Sequence, residues 1–134
     1  MASALYDKGR EGFLDGSIDW DTNTIKTVLV TSGYAVNLST HQFLSDIVAG
    51  NRNGISAALA SKTVTAGVAD AADTTITTTV ASSTIAMVIY QDTGVEATSR
   101  LIAYIDTGGV PFTPSVGQAV PITWDNGANR IFKL

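Results

Sequence analysis

The side chains of this 134-residue chain that could do chemistry are mainly carboxylates in predicted turns. Two sets lie close enough in sequence to supply a catalytic pair: Glu11 with Asp15, Asp19 and Asp21, and Asp92 with Glu96. Two carboxyl groups can cleave a glycosidic bond when one protonates the leaving oxygen and the other attacks or activates water. Carboxylates scattered in polar loops are more commonly solvated surface. We therefore do not expect an enzyme.

Oxygen-bearing side chains alternate at Asp19, Asp21 and Asn23, as they do at the start of a calcium-binding loop. A helix-loop-helix calcium site also needs Gly at its sixth position and Glu at its twelfth. Thr24 and Val30 occupy those positions here. The pattern instead indicates an Asp-rich turn that leads into a strand, and we predict neither a metal nor a cofactor.

Other reactive groups are scarce. The chain has no Cys, which excludes disulfides, thiolate metal sites and thiol nucleophiles. His41 is the only His, and its neighbours Ser39 and Asp46 are typical of helix caps rather than of a catalytic triad. Neither phosphate-binding glycine pattern, G-x-x-x-x-G-K-[ST] or G-x-G-x-x-G, occurs. The sequon Asn37-Leu38-Ser39 is treated as a chance match, since no export signal accompanies it.

The net charge and the hydropathy of the chain make two classes of binding partner, nucleic acids and membranes, unexpected. The formal net charge is -4, so the chain would on average repel a phosphate backbone, and nucleic acid is not an expected partner. No run of roughly 18 apolar residues could span a bilayer, and the first residues lack the basic and apolar regions of a secretory signal. We expect a protein that is made soluble in the cytoplasm and has no membrane partner.

The elements that must position these side chains are predicted to be mostly β-strands. Residues 55–90 carry only three charged side chains in a stretch rich in Thr, Ala, Val, Ile and Ser. β-Branched side chains favour a pleated, half-buried surface over a helix. Short strands separated by turn residues are predicted over 24–31, 55–65, 74–80, 85–91, 100–106, 119–124 and 130–133.

Residues 4–14 are predicted to form a short helix, in which Gly9 and Gly12 permit close approach to another backbone. Residues 39–46 are predicted to form a single capped turn, and residues 49–54 a loop. Asp125-Asn126-Gly127 is a strong hairpin signal between the last two strands. The sequence thus predicts one domain over 1–134, with a helical segment over 1–16 and a β domain over 24–134. The fold class is mainly β, as a single antiparallel sandwich or barrel-like domain.

Short segments spread over the whole chain carry a resemblance. They are Ala4-Leu5-Tyr6-Asp7-Lys8, Gly12-Phe13-Leu14, Ile18-Asp19-Trp20, the segment 41–47, Leu101-Ile102-Ala103-Tyr104-Ile105-Asp106, Ile122-Thr123-Trp124-Asp125-Asn126-Gly127 and Ile131-Phe132-Lys133-Leu134. Together they resemble a family of small virion structural proteins encoded by tailed bacteriophages. The resemblance supplies no catalytic motif.

The resemblance implies a capsid decoration or cement protein. Such a protein would be located in the virion and would bind the major capsid protein or other virion proteins. A tail or head-fibre position and a carbohydrate-binding module are the alternatives. We expect a symmetric homo-oligomer such as a trimer, which uses the N-terminal segment or the last strand in contacts with neighbours. The residues predicted for these contacts are Leu5, Tyr6, Phe13, Leu14, Trp20 and Phe132.

Overall fold

A computed structural model of the chain describes residues 4–128 and 130–134. Residues 1–3 of the predicted helical segment lie outside this range. The helices are α1 (Asp7–Leu14) and two 3-10 turns at Leu44–Asp46 and Ala49–Asn51. The strands are β1 (Ala4–Leu5), β2 (Ile25–Thr31), β3 (Arg52–Ile55), β4 (Thr63–Thr65), β5 (Val68–Asp70), β6 (Thr74–Thr77), β7 (Thr84–Gln91), β8 (Leu101–Ile105), β9 (Ala119–Ile122) and β10 (Phe132–Lys133).

The largest sheet has five strands in the order β1-β8-β7-β2-β3, and all its neighbours are antiparallel. Val88 in β7 lies opposite Val28 in β2 on one side and Tyr104 in β8 on the other. Strands β2 and β7 are buried along almost their whole length. Their nearly continuous apolar runs are explained by burial of both faces of the sheet.

Each face of this sheet carries its own apolar cluster. On one face, Leu29 and Ile89 pack in a cluster with Ala69 of β5 and Ile76 of β6. These partners belong to two smaller antiparallel sheets, β10-β5-β4 and β6-β9. On the opposite face, Val28 and its neighbours pack with residues of the segment 34–47. The sheets pack together as in a sandwich, and the prediction of a mainly β fold with a short helix near the N-terminus is confirmed.

The N-terminal helix is shorter than predicted. It begins at Asp7, because Ala4 and Leu5 pair as a strand with Tyr104 and Ala103 of β8. The predicted close approach of Gly9 is confirmed, since a Cβ atom built there would lie 2.8 Å from the carbonyl oxygen of Leu101. No helix in the described ranges is long and apolar enough to cross a membrane.

Two predictions in the middle of the chain are wrong. The predicted loop over 49–54 contains a 3-10 turn and most of β3, and the predicted strand over 55–65 is reduced to Ile55, the last residue of β3, and to β4. In between, the N–H groups of Ser56 and Leu59 donate to the carbonyls of Thr27 and Ile25, each at 2.8 Å. The chain therefore runs beside β2 with irregular hydrogen bonds. β5 was not predicted.

The predicted hairpin at Asp125-Asn126-Gly127 is also wrong. β9 pairs with β6 and β10 pairs with β5, so the last two strands belong to different sheets. The turn residues bond locally instead, with the Gly127 N–H donating to Asp125 Oδ1 at 3.1 Å. An Asp or Asn side chain stabilises a turn in this way whether or not the flanking strands pair.

Candidate functional site

The carboxylates of the second predicted pair are engaged with separate cations. Lys26 Nζ lies 2.7 Å from Asp92 Oδ2, and the guanidinium of Arg52 contacts both oxygens of Glu96, at 2.6 and 3.2 Å. Hydrogen bonds from these cations lower the pKa of both carboxyls. Arg52 also donates to the carbonyls of Ile47 and Leu44, so its guanidinium has a structural role.

The acidic residues of the first predicted set lie on the surface. The Lys8 ammonium binds Glu11 at 2.9 Å, and the Ser17 N–H donates to Asp15 at 2.8 Å. Over 4–128 and 130–134, no three His, Cys, Asp or Glu side chains are grouped so as to hold a metal ion.

Asp19 and Asp21 differ from the other carboxylates because each shifts the pKa of the other. A hydrogen bond between the two carboxyls lowers the pKa of Asp19 and raises that of Asp21, and both are open to solvent. They belong to a turn closed by the Asn23 N–H, which donates to the Asp19 carbonyl at 2.9 Å. The predicted Asp-rich turn before β2 is confirmed.

His41 belongs to a hydrogen-bonded chain with two tyrosines. Tyr34 Oη lies 2.8 Å from His41 Nδ1 and 2.8 Å from Tyr6 Oη. Burial raises the pKa of Tyr34 to about 12 and that of Tyr6 still further, so both phenols are protonated at neutral pH. Asp46 accepts the N–H groups of Gln42 and Phe43, which confirms its predicted capping role.

Ser39 is not the cap that the sequence predicted. The Ser39 and Thr40 N–H groups both donate to Asn37 Oδ1 at 3.1 Å. The side-chain acceptor of this turn is therefore Asn37, two residues earlier. Asn37 also carries the sequon match, and its side chain is engaged in the turn.

The six residues predicted for contacts with a neighbour occupy very different environments. Leu5, Tyr6 and Trp20 are buried within the chain, Phe13 and Phe132 are half-buried, and Leu14 is 89% exposed. Phe132 packs against Phe13 and Trp20, with ring centroids 5.8 and 5.2 Å apart. The contacts of these residues with another protein stay a prediction.

The half-buried phenylalanines open into a groove of about 410 Å³, which we call the α1–β10 groove. Its lining is mostly apolar, and among the described residues the charged side chains in it are those of Asp19 and Asp21. The lining residues are Phe13, Gly16, Ile18, Asp19, Trp20, Asp21, Val64, Gly67, Ala69, Phe132 and Leu134. Val64 and Leu134 are 55% and 59% exposed. The groove thus joins the end of the N-terminal helix to the last strand.

A second cavity, of about 620 Å³, lies between the five-stranded sheet and β9, and we call it the intersheet cleft. Leu29 and Met87 line it from the large sheet, and Trp124 lines it from the other side. Its lining also includes the polar side chains Gln118, Thr123, Asp125 and Arg130. The sequence analysis missed both cavities, because each is built from strands whose pairing the sequence pattern did not reveal.

No protein-family model matches this chain, and no curated protein matches its sequence. A sandwich-like fold hosts many unrelated functions, so the fold by itself does not assign one.

Proposed function

We propose that the protein is a structural component of a bacteriophage virion, and specifically a capsid decoration protein that binds and stabilises the head. The observation that carries the proposal is the α1–β10 groove. It leaves Val64 and Leu134 exposed at the place where the N-terminal helix meets the last strand. The resemblance of the sequence to small virion proteins supports the same role.

Covering exposed apolar surface with a partner lowers the free energy of the complex. Burying a large aliphatic side chain contributes about 1.5–3 kcal/mol. Leu14, Val64 and Leu134 are more than half exposed, and all three belong to or follow elements that border the groove. When a partner carries many copies in fixed positions, modest contacts of this kind add to a large total.

The test uses virions or empty heads from a phage that lacks this protein. Purified protein is added, heads and tails are separated on a sucrose gradient, and bound protein is quantified. We expect saturable binding to heads and a higher temperature of DNA release. Binding to tails alone would support the tail or fibre alternative, and binding to neither fraction would contradict a virion role.

A carbohydrate-binding role is a second candidate, which the intersheet cleft favours because it combines Trp124 with several polar side chains. Sugar sites often place an aromatic ring against the sugar face. Trp124 is 6% exposed and Trp20 is 3% exposed, so little ring surface is offered for such stacking. Titration with host surface glycans, followed by tryptophan fluorescence in wild type and Trp124→Phe, tests this candidate. A saturable change in wild type that is lost in the variant would support it.

A further inference from the structure

The charge and the apolar lining of the α1–β10 groove together specify what would fill it. We propose that the groove receives a segment of another virion protein in which a large apolar side chain lies beside a Lys or Arg. This inference rests on the proposed virion role and names the chemistry of the partner. The apolar side chain would enter the groove, and the cation would bind Asp19 and Asp21 at its edge.

The lining of the α1–β10 groove keeps apolar surface exposed to water. Phe13 and Phe132 are half-buried, and Val64 and Leu134 are exposed, so these four side chains keep apolar surface in contact with water. Trp20 lies beneath them with 3% exposure, and its Nε1 donates to the Asp70 carbonyl at 3.0 Å. A well-anchored aromatic floor with apolar walls is the kind of pocket in which interface anchor residues bind.

The carboxylates of Asp19 and Asp21 give the α1–β10 groove a negative charge. Asp19 and Asp21 are exposed and both line the groove, and the interaction with Asp19 raises the pKa of Asp21. Lys62 is the cation that acts on Asp21, but its ammonium donates to the Asn23 carbonyl. A partner cation placed between the carboxylates would relieve their repulsion, and a guanidinium can bind two carboxylate oxygens at once.

Among the described exposed residues, a second copy of this chain offers this chemistry only on the walls of the groove itself. Lys8 and Arg10 are already paired on α1, with Glu11 and Asp7, each at 2.9 Å. In the described ranges, the exposed large apolar residues within two positions of a cation are Val64, after Lys62, and Leu134, after Lys133, and both already line the groove. The occupant is therefore assigned to a different protein.

The experiment measures binding to heads that lack this protein, using variants that remove either part of the site. The charge variant is Asp19→Asn with Asp21→Asn, and its control is Asp7→Asn with Glu11→Gln, which removes the same charge outside the groove lining. The apolar variant is Val64→Asp, and its control is Val116→Asp, at a residue that is 67% exposed and outside the groove. Circular dichroism and thermal unfolding establish that each variant is folded.

We expect each groove variant to weaken binding at least about tenfold, because truncating one partner of a docked charge pair or anchor typically costs more than 1.4 kcal/mol. Both controls should bind within about twofold of wild type. If wild type binds heads and the groove variants bind equally well, the groove assignment is wrong although the virion role stands. If wild type does not bind, the virion role itself fails.

A crosslinking experiment identifies the occupant directly. Because the chain has no Cys, Val64→Cys provides a single thiol to which a maleimide photocrosslinker can be attached. Mass spectrometry of the crosslinked heads should yield one peptide of another virion protein with a large apolar residue within two positions of Lys or Arg. A peptide without a cation, or crosslinking of this chain to itself, would overturn the proposal.

Discussion

Gly9 provides a sharp test of how α1 packs on the five-stranded sheet. Ala is usually better than Gly inside a helix by about 1 kcal/mol, so an exposed site would gain stability on substitution. A Cβ at Gly9 would lie 2.8 Å from the Leu101 carbonyl oxygen and 2.9 Å from that of Ile102. Gly9→Ala is therefore expected to destabilise the protein, opposite to its helix propensity.

The magnitude follows from the contact distances. Non-bonded heavy atoms prefer about 3.5 Å or more, so α1 would have to move away from β8 by roughly 0.7 Å. Overpacking of this kind costs about 1–3 kcal/mol, and contact with backbone atoms of an interior strand belongs at the upper end of that range. After the gain in helix propensity is subtracted, we expect a net loss of about 2 kcal/mol. For a chain of this size that corresponds to a fall in Tm of roughly 8 °C.

Urea and thermal unfolding followed by circular dichroism measure this change. Gly50→Ala is the matched control, because Gly50 lies in a 3-10 turn and a Cβ there would meet no atom within 4 Å. That variant should be unchanged or more stable by about 0.4–1 kcal/mol, since Ala restricts the unfolded chain. An unfolding midpoint for Gly9→Ala at or above that of wild type would refute the described packing of α1 on β8.

Two further predictions concern buried and partly buried polar groups. Asn53→Ala should lower the free energy of unfolding by about 2–4 kcal/mol, because buried Asn53 donates to Thr84 Oγ1 and accepts two backbone N–H groups, all at 2.9 Å. Equal urea midpoints for Asn53→Ala and the partly exposed control Asn51→Ala would contradict this. The Lys26 ammonium lowers the pKa of Asp92, so their pair stabilises the fold above the ordinary Asp pKa of about 3.9, and this stabilisation is lost as the pH falls below it. The urea midpoints of wild type and Lys26→Met should therefore differ at pH 7 and converge towards pH 2, and a difference that persists at pH 2 would count against the pair.

The parts of the fold that the sequence predicted well are the central strands. β2, β7 and β8 lie within one residue of the predicted bounds at 24–31, 85–91 and 100–106. Their β-branched and aliphatic runs are long, and burial on both faces of one sheet selects such residues at every position. In these strands the local composition and the tertiary environment both favour β structure, so the residue pattern alone was sufficient to predict them.

The errors occur where pairing at long range decides the structure. Ala4 and Leu5 fit the pattern of a helix start, but their backbone groups bond to β8, about 100 residues later in the chain. The turn at residues 125–127 fits a hairpin, but β6 and β5 are already available as partners for β9 and β10. Turn chemistry specifies the local bend and not which strand is paired, so the sequence could not distinguish these outcomes.

Each of the two cavities is lined by a tryptophan whose indole bonds to the same stretch of chain, at and just after the end of β5. The Trp20 indole donates to the Asp70 carbonyl at the end of β5, and the Trp124 indole donates to the Ala72 carbonyl two residues later. A buried indole needs a hydrogen-bond acceptor, and the end of β5 and the residues after it supply these two carbonyls. Both tryptophan side chains are buried in the core. One tryptophan lines the α1–β10 groove and the other lines the intersheet cleft, so β5 and the residues after it hold the aromatic side of both cavities in place.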